Sequence, residues 1–144
     1  MFRLTDILSA TQGTLLQGAL DICFSGVCTD SRRVRSGDLF IALRGENFDG
    51  HDFIPHALAG GAMGVVTQRA IHNIPDAPAI IQVPDTLRAL GQIAAFHRAR
   101  FNVPICAVTG SVGKTTTKEL LGTILRVRFN TLQAAASHNN EIGV

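Results

Sequence analysis

Gly110, Gly113, Lys114 and Thr115 lie within the run AVTGSVGKTTTKE, residues 107–119, and combine the residue types that hold a phosphate. Two glycines let the backbone turn successive N–H groups toward an anion at the start of a helix. The lysine adds a compact positive charge for the outer phosphates, and the neighbouring hydroxyl is placed to ligate Mg²⁺. The common phosphate-loop pattern has a further glycine five residues before its Gly-Lys pair, where this chain has Val108. A strand before the loop and a helix after it distinguish such a site from a glycine turn bearing a surface lysine. Here the apolar run PICAV leads in, and TTTKELLGTIL leads out with Leu120, Leu121, Ile124 and Leu125 forming one apolar face. The spacing predicts a nucleotide-phosphate site with a variant loop.

The elements that must position this loop follow from punctuation and periodicity. Thr5 before DILSA reads as the cap of a short helix. DICFSGVCTDSR and DLFIALRG are strand-forming runs broken by the turn signal RRVRSGD, and HDFIPHALAGGA predicts a helix ending at Gly60-Gly61. MGVVTQ and AIIQV are short apolar strands. Residues 1–84 therefore predict a small mixed α/β unit. Asp85 or Thr86 caps a helix on which Leu87, Leu90, Ala94 and Phe101 recur, so 85–102 is expected to connect two units. From 103 onward, strand VPICAV, loop, helix and strand NTLQAA read as the opening of a parallel α/β domain, cut off inside that domain.

Composition narrows the classes. With 46% hydrophobic and 17% charged residues the chain can bury a core. A formal charge of +2, carried by eleven scattered arginines and two lysines, gives no basic stripe, so no nucleic-acid partner is expected. Apolar runs fall far short of the ~20 residues of a membrane span, and MFRLTDILSA lacks a signal-peptide core, so no membrane insertion is expected. Cys23, Cys28 and Cys106 are odd in number and lack metal-ligand spacing. They read as small buried hydrophobes in a reducing, cytoplasmic compartment. His56, His72 and His97 show no partner pattern and are expected at the surface.

TGSVGKTTTKE resembles the ATP loop of the Mur ligase family, whose Thr-Gly-x-x-Gly-Lys-Thr/Ser pattern lacks the earlier glycine. CTDSRRVRSGDLFIALRGENFDGHDFI, residues 28–54, is similar to the N-terminal domain that binds the uridine-diphosphate end of the muropeptide in the family's third and fourth amino-acid-adding enzymes. NNEIGV resembles a signature of the D-alanyl-D-alanine-adding (MurF) branch, although AAASHNN departs from the usual Thr-x-Gly-Asn before it. The resemblance spans essentially the whole chain.

It implies an ATP-dependent amide ligase acting on UDP-N-acetylmuramoyl-tripeptide and D-alanyl-D-alanine through an acyl phosphate, as a monomer. ATP would be held by Thr109, Gly110, Ser111, Val112, Gly113, Lys114, Thr115 and Thr116, with Lys114 catalytic and Thr115 on Mg²⁺. Thr116 and Thr117 also read as helix-start residues. Thr29, Ser31, Glu46, Asn47, Phe48 and His51 are the candidates for the uridine end. Against them, Asp30-Ser31 also reads as a turn pair, and DGH (49–51) as a turn into the next helix. Asn139 and Asn140 could bind ligand or brace a loop. Parts required for turnover, including a carbamylated lysine and the dipeptide-binding domain, are implied beyond residue 144. Three other readings stay open: a MurE-type ligase, a non-catalytic UDP-sugar-binding module with a vestigial loop, and a general P-loop NTPase.

Overall fold

The computed structural model describes residues 1–45, 48–71, 74 and 77–134. The chain divides into two compact units, Met1–Arg100 and Phe101–Val144. In the first, strand β1 (Phe2–Arg3) runs into helix α1 (Leu4–Thr11). Leu4, Ile7 and Thr11 recur on one face of α1 and are buried. Asp6 reaches back to accept the Arg3 N–H at 3.2 Å, meeting one of the donors a helix start leaves over. Thr5, expected at the cap, lies inside the first turn instead.

Strands β2 (Thr14–Gln17), β4 (Val27–Cys28), β5 (Leu39–Ile41), β6 (Gly64–Thr67) and β7 (Ile80–Gln82) form one sheet in the order β2-β7-β6-β5-β4. The last four are parallel, and β2 is antiparallel to β7. Strand β3 (Cys23–Phe24) pairs separately with β1, Phe2 opposite Phe24. Strand alternation divides the apolar residues between two faces. Leu39, Ile41, Val66 and Ile81 pack with Leu4 and Ile7 of α1. Phe40, Ala42 and Val65 turn the other way, onto Ile54 and Ala57 of helix α2 (Ile54–Ala59). Strands β5 and β6 are buried along their whole length, which is why LFI and GVV read as unbroken apolar runs. The mixed α/β unit expected from the sequence is formed. Helix α2 ends where the Gly60-Gly61 pair predicts: Gly61 adopts φ 97°, and a Cβ there would lie 3.1 Å from the Ser36 Cα.

Helix α3 (Thr86–Ala99) is capped by Asp85, whose carboxylate accepts the Arg88 N–H at 2.9 Å. Ala89 and Ile93 enter the core beside α1, and the first unit runs to Arg100. Its buried face is Thr86, Ala89 and Ile93; of the expected set Leu90 is half-buried against the core, whereas Leu87, Ala94 and Phe101 are exposed. Periodicity finds a helix but cannot choose between neighbouring stripes when a small residue such as Ala89 suits the packed one. Four smaller expectations also change. Cys23 is exposed because Phe24 takes the inward side of β3; Cys106 is exposed and Cys28 half-buried. His97 is half-buried with its ring centroid 4.7 Å from that of Phe2.

In the second unit helix α4 (Lys114–Arg126) forms after the glycine loop. Among the described residues, 103–108 and 129–134 form no strand. An apolar run becomes a strand only where neighbouring strands take its N–H and C=O groups, and that partner is not specified locally. No helix among the described residues is long and apolar enough to cross a membrane.

The corrected face of α3 is testable. Ile93→Ala should lower the unfolding free energy by about 2–5 kcal/mol, and Leu87→Ala by under ~1 kcal/mol. Denaturant unfolding of the two variants decides it, because a costlier Leu87→Ala would restore the face read from periodicity.

Candidate functional site

Parallel pairing puts the C-terminal ends of β4, β5, β6 and β7 at one edge of the sheet, the edge at which open α/β sheets bind ligands. The segments leaving that edge begin at Thr29, Ala42, Gln68 and Val83. Sequence-predicted Thr29, Ser31 and Phe48 all lie on the first two of these segments.

After β4, Asp30 builds the turn. Its Oδ1 accepts the Arg32 N–H at 3.1 Å and Arg32 Nε at 2.9 Å, while Oδ2 accepts Nη2 at 2.8 Å. Ser31, half-buried, takes no part in these bonds, so the turn does not consume its hydroxyl. Thr29 and Asp30 line a surface cleft of about 540 Å³ together with Ser25, Cys28, Arg33, Arg35, Ser36 and Asp38. Ser31 is outside that lining. Asp38, only 8% exposed, accepts the Arg35 N–H at 2.9 Å and the Ser25 hydroxyl at 3.4 Å, tying down the loop between β4 and β5. Hydroxyls beside Arg33 and Arg35 suit a phosphorylated, hydroxyl-rich ligand. Neither arginine was singled out from sequence. Their alternation in RRVRS was the available signal, masked by arginines scattered elsewhere.

After β5 the chain makes a tight turn. Arg44 bridges Asp49, and the Gly45 N–H donates to the Phe48 carbonyl at 2.8 Å. Phe48 is 74% exposed. Glu46 and Asn47 lie outside the described residues, as do His72, Asn139, Asn140 and the rest of NNEIGV. His51 is placed differently from the other candidates. It is buried, its Nδ1 is 2.5 Å from Asp49 Oδ1, and its Nε2 accepts the Gln68 N–H at 3.0 Å. Both ring nitrogens are thus engaged within the protein.

The loop of the second unit has the backbone a phosphate cradle requires. Gly110 and Gly113 adopt φ 148° and 81°, conformations side chains disfavour. No described atom lies within 4 Å of where a Cβ would sit at Gly113, so backbone conformation, not crowding, calls for glycine there. Gly113 caps α4, and its carbonyl accepts the Thr117 N–H at 2.9 Å. The first N–H groups of any α-helix find no carbonyl within the helix, and this end starts at Lys114. The Lys114 ammonium folds back onto the Gly110 carbonyl at 2.5 Å, holding its charge at the loop. Thr109, Ser111 and Val112 complete the loop, and Thr115 and Thr116 occupy the first turn of α4. The donor set fits a polyphosphate. Among the described residues no cluster of His, Cys, Asp and Glu forms a metal cage.

Comparison with known proteins bears on the first unit directly. Residues 24–98 match the model of the Mur ligase family, catalytic domain. That match ends before Gly110, so it is independent of the loop. A UDP-N-acetylmuramoyl-tripeptide–D-alanyl-D-alanine ligase of Synechocystis is 54% identical over 124 residues, covering 86% of this chain and 27% of the relative. The crystal structure of MurF from Acinetobacter baumannii aligns over 99% of this chain and 31% of that one, at 38% identity and a TM-score of 0.90. MurF ligase of Thermotoga maritima, solved in complex with ADP, aligns over 85% of this chain and 27% of that one, at 34% identity and a TM-score of 0.74. The chain spans less than a third of the length of these relatives.

Asp30 and Asp49 respond to acid in a defined direction. Hydrogen bonds from the Arg32 side chain and then its backbone hold Asp30 at about 2, against an ordinary 3.8. Hydrogen bonds from the His51 backbone and then its ring, with the Arg69 charge adding, hold Asp49 at about 2. Folded values below the ordinary one stabilise the fold above pH ~4, and that contribution is lost as pH falls through about 2. A carbon-detected NMR titration should give an Asp49 midpoint near 2, and Asp49→Asn should flatten the stability profile between pH ~4 and ~2. A midpoint at the ordinary value would mean that the His51 contacts are open in solution.

Proposed function

The chain belongs to the Mur ligase family, and on that premise we propose that it forms the N-terminal portion of an ATP-dependent ligase joining D-alanyl-D-alanine to UDP-N-acetylmuramoyl-tripeptide. The observation that carries this reading is the combination of two independent features on one chain. The family match lies in the first unit, and the second unit presents a Gly-Lys-Thr loop at a helix N-terminus. The D-alanyl-D-alanine branch is favoured by the names of the Synechocystis and Acinetobacter baumannii relatives.

In this reading the two units divide the work. The edge after β4 and β5 receives the uridine-diphosphate end, with Thr29, Ser31, Phe48, Glu46 and Asn47 as its contacts and Arg33, on the cleft that Thr29 and Asp30 line, available to its phosphates. The loop Thr109 to Thr116 holds the ATP phosphates. A carboxylate is a poor electrophile, so the tripeptide's terminal carboxylate takes the γ-phosphoryl group, giving an acyl phosphate and ADP. The amine of D-alanyl-D-alanine then attacks the acyl carbon and inorganic phosphate leaves. Lys114 neutralises charge on the transferring group, and backbone N–H groups of the loop and first helical turn orient it. Bound Mg²⁺ would supply further charge neutralisation, with Thr115 as its ligand on this chain. Such a ligase works in the cytoplasm, where its nucleotide substrates are made. Asn139 and Asn140 stay candidates either to bind ligand or to brace the loop.

Two variants of the full-length ligase test the division of labour. Lys114→Ala should lower turnover by orders of magnitude while the affinity for the uridine nucleotide substrate stays nearly unchanged. Ser31→Ala should weaken that affinity a few-fold, about 1 kcal/mol, and leave the ATP dependence alone. Calorimetry with the nucleotide sugar and phosphate release in the presence of D-alanyl-D-alanine or a free diamino acid give the readouts. Near-normal turnover of Lys114→Ala would return the loop to a glycine turn. Release dependent on the diamino acid would move the protein to the third-residue branch.

A further inference from the structure

His51 is the buried titratable group that the proposed chemistry leaves unused. Its side chain is 2% exposed, and it sits in the 3-10 turn Gly50–Phe53, immediately after the turn that carries Phe48. Its two nitrogens reach different elements. Nε2 accepts the backbone N–H of Gln68, at the end of β6, at 3.0 Å. A nitrogen that accepts from a backbone N–H carries no proton, so the ring proton is on Nδ1, which faces Asp49 Oδ1 at 2.5 Å. The contacts therefore select one tautomer and one ring orientation.

The network continues on both sides of the ring. Asp49 also accepts the His51 backbone N–H at 2.9 Å and Arg69 Nη2 at 2.8 Å, and Arg69 Nη1 reaches Asp52 at 3.1 Å. Gln68 donates through its side chain to the Pro84 carbonyl at 3.1 Å and accepts the Thr86 hydroxyl at 3.3 Å. The imidazole thus joins the segment leaving β5 to the segment leaving β6, and Gln68 carries the connection to the start of α3. Among the described residues the backbone closures here are the Arg44–Asp49 bridge, the bond from the Gly45 N–H to the Phe48 carbonyl and that from the Gly50 N–H to the Leu43 carbonyl at 2.8 Å, all local to the segment. Strand β6, wholly buried, is the rigid body to which His51 fastens it.

We propose that His51 is a positioning residue: as the Nδ1–H tautomer it pins Asp49, and with it the adjoining exposed Phe48, to the end of β6 and so sets the position from which Phe48 meets the uridine end of the substrate. The role in substrate binding rests on the function proposed above, whereas the pinning of the turn does not.

The test separates the two. In the full-length ligase, His51→Ala should raise the KM for the uridine-diphosphate sugar peptide about tenfold while the KM for ATP stays within about twofold. Asp49→Ala should do the same. Asp49→Asn, which keeps an acceptor oxygen for the ring, should return the KM to within about threefold of the parent. Nitrogen NMR of the parent should show the His51 proton on Nδ1. Amide exchange at Gly45 and Gln68 should speed up at least about tenfold in His51→Ala, with Phe40 and Val66 in the sheet unchanged. A folded His51→Ala variant with parental KM and parental exchange at Gly45 would overturn the proposal, as would a uniform rise in exchange across β5 and β6. Should the parent bind no uridine nucleotide sugar, the proposed function fails, and exchange at Gly45 still decides whether His51 pins the turn.

Discussion

Parallel strands cannot be joined by tight hairpins, and that constraint organises the first unit. Each of β4, β5 and β6 must send its chain back across the sheet before the next strand begins. All the outgoing segments therefore leave from one edge, while α1 and α3 on one face and α2 on the other cover the strands. Among the described residues the buried positions of β5, β6 and β7 are apolar apart from Thr67, whose hydroxyl is taken up by the Arg69 backbone. Function is pushed to the edge, where Thr29, Phe48, Gln68 and Pro84 begin or continue separate loops. A ligand bound there would touch segments far apart in sequence, so its recognition depends on how firmly those loops are held relative to one another.

Charged side chains do much of that holding. Asp30 grips Arg32, Asp38 grips Arg35 through its N–H, and Asp49 grips both His51 and Arg69. Exposed ion pairs of this kind contribute little to global stability, because solvent screens them and ordering long side chains costs entropy. Their effect is local. Each fixes a loop that has few apolar contacts of its own, and the partly shielded ones, at Asp38 and Asp49, have backbone N–H groups among their donors. Such bonds restrain the main chain directly, which is the property a binding loop requires.

How much of this was legible in the sequence depends on the distance over which each feature is specified. The phosphate loop is local. Gly110, Gly113 and Lys114 lie within five residues, and the helix that follows needs only its own spacing. Strands β5 to β7 and the end of α2 were legible for the same reason. The packed face of α3 was not, since burial of Ala89 and Ile93 is decided by α1, a helix near the other end of the unit. The apolar run 103–108 has the composition of a strand, but no local signal names the neighbours that would pair with it. His51 shows the same limit at a single residue. DGH reads equally as a turn or as a ligand contact, and only the Gln68 amide, supplied by another strand, fixes what the ring does.

This difference in range also explains why the two lines of functional evidence reinforce each other. A Gly-Lys-Thr loop can arise on unrelated folds, because helix N-termini and glycine turns are available to all of them. Taken alone it identifies a ligand class more readily than a protein family. The edge of the first unit is the opposite case: it depends on many separated residues, and a match running from 24 to 98 samples the core, the crossovers and the loop anchors together. Two features so different in what specifies them point to the same family on one short chain. The variant position Val108 fits the same argument, since a loop entered from an apolar run needs glycine only where φ is positive. In this chain those positions are Gly110 and Gly113.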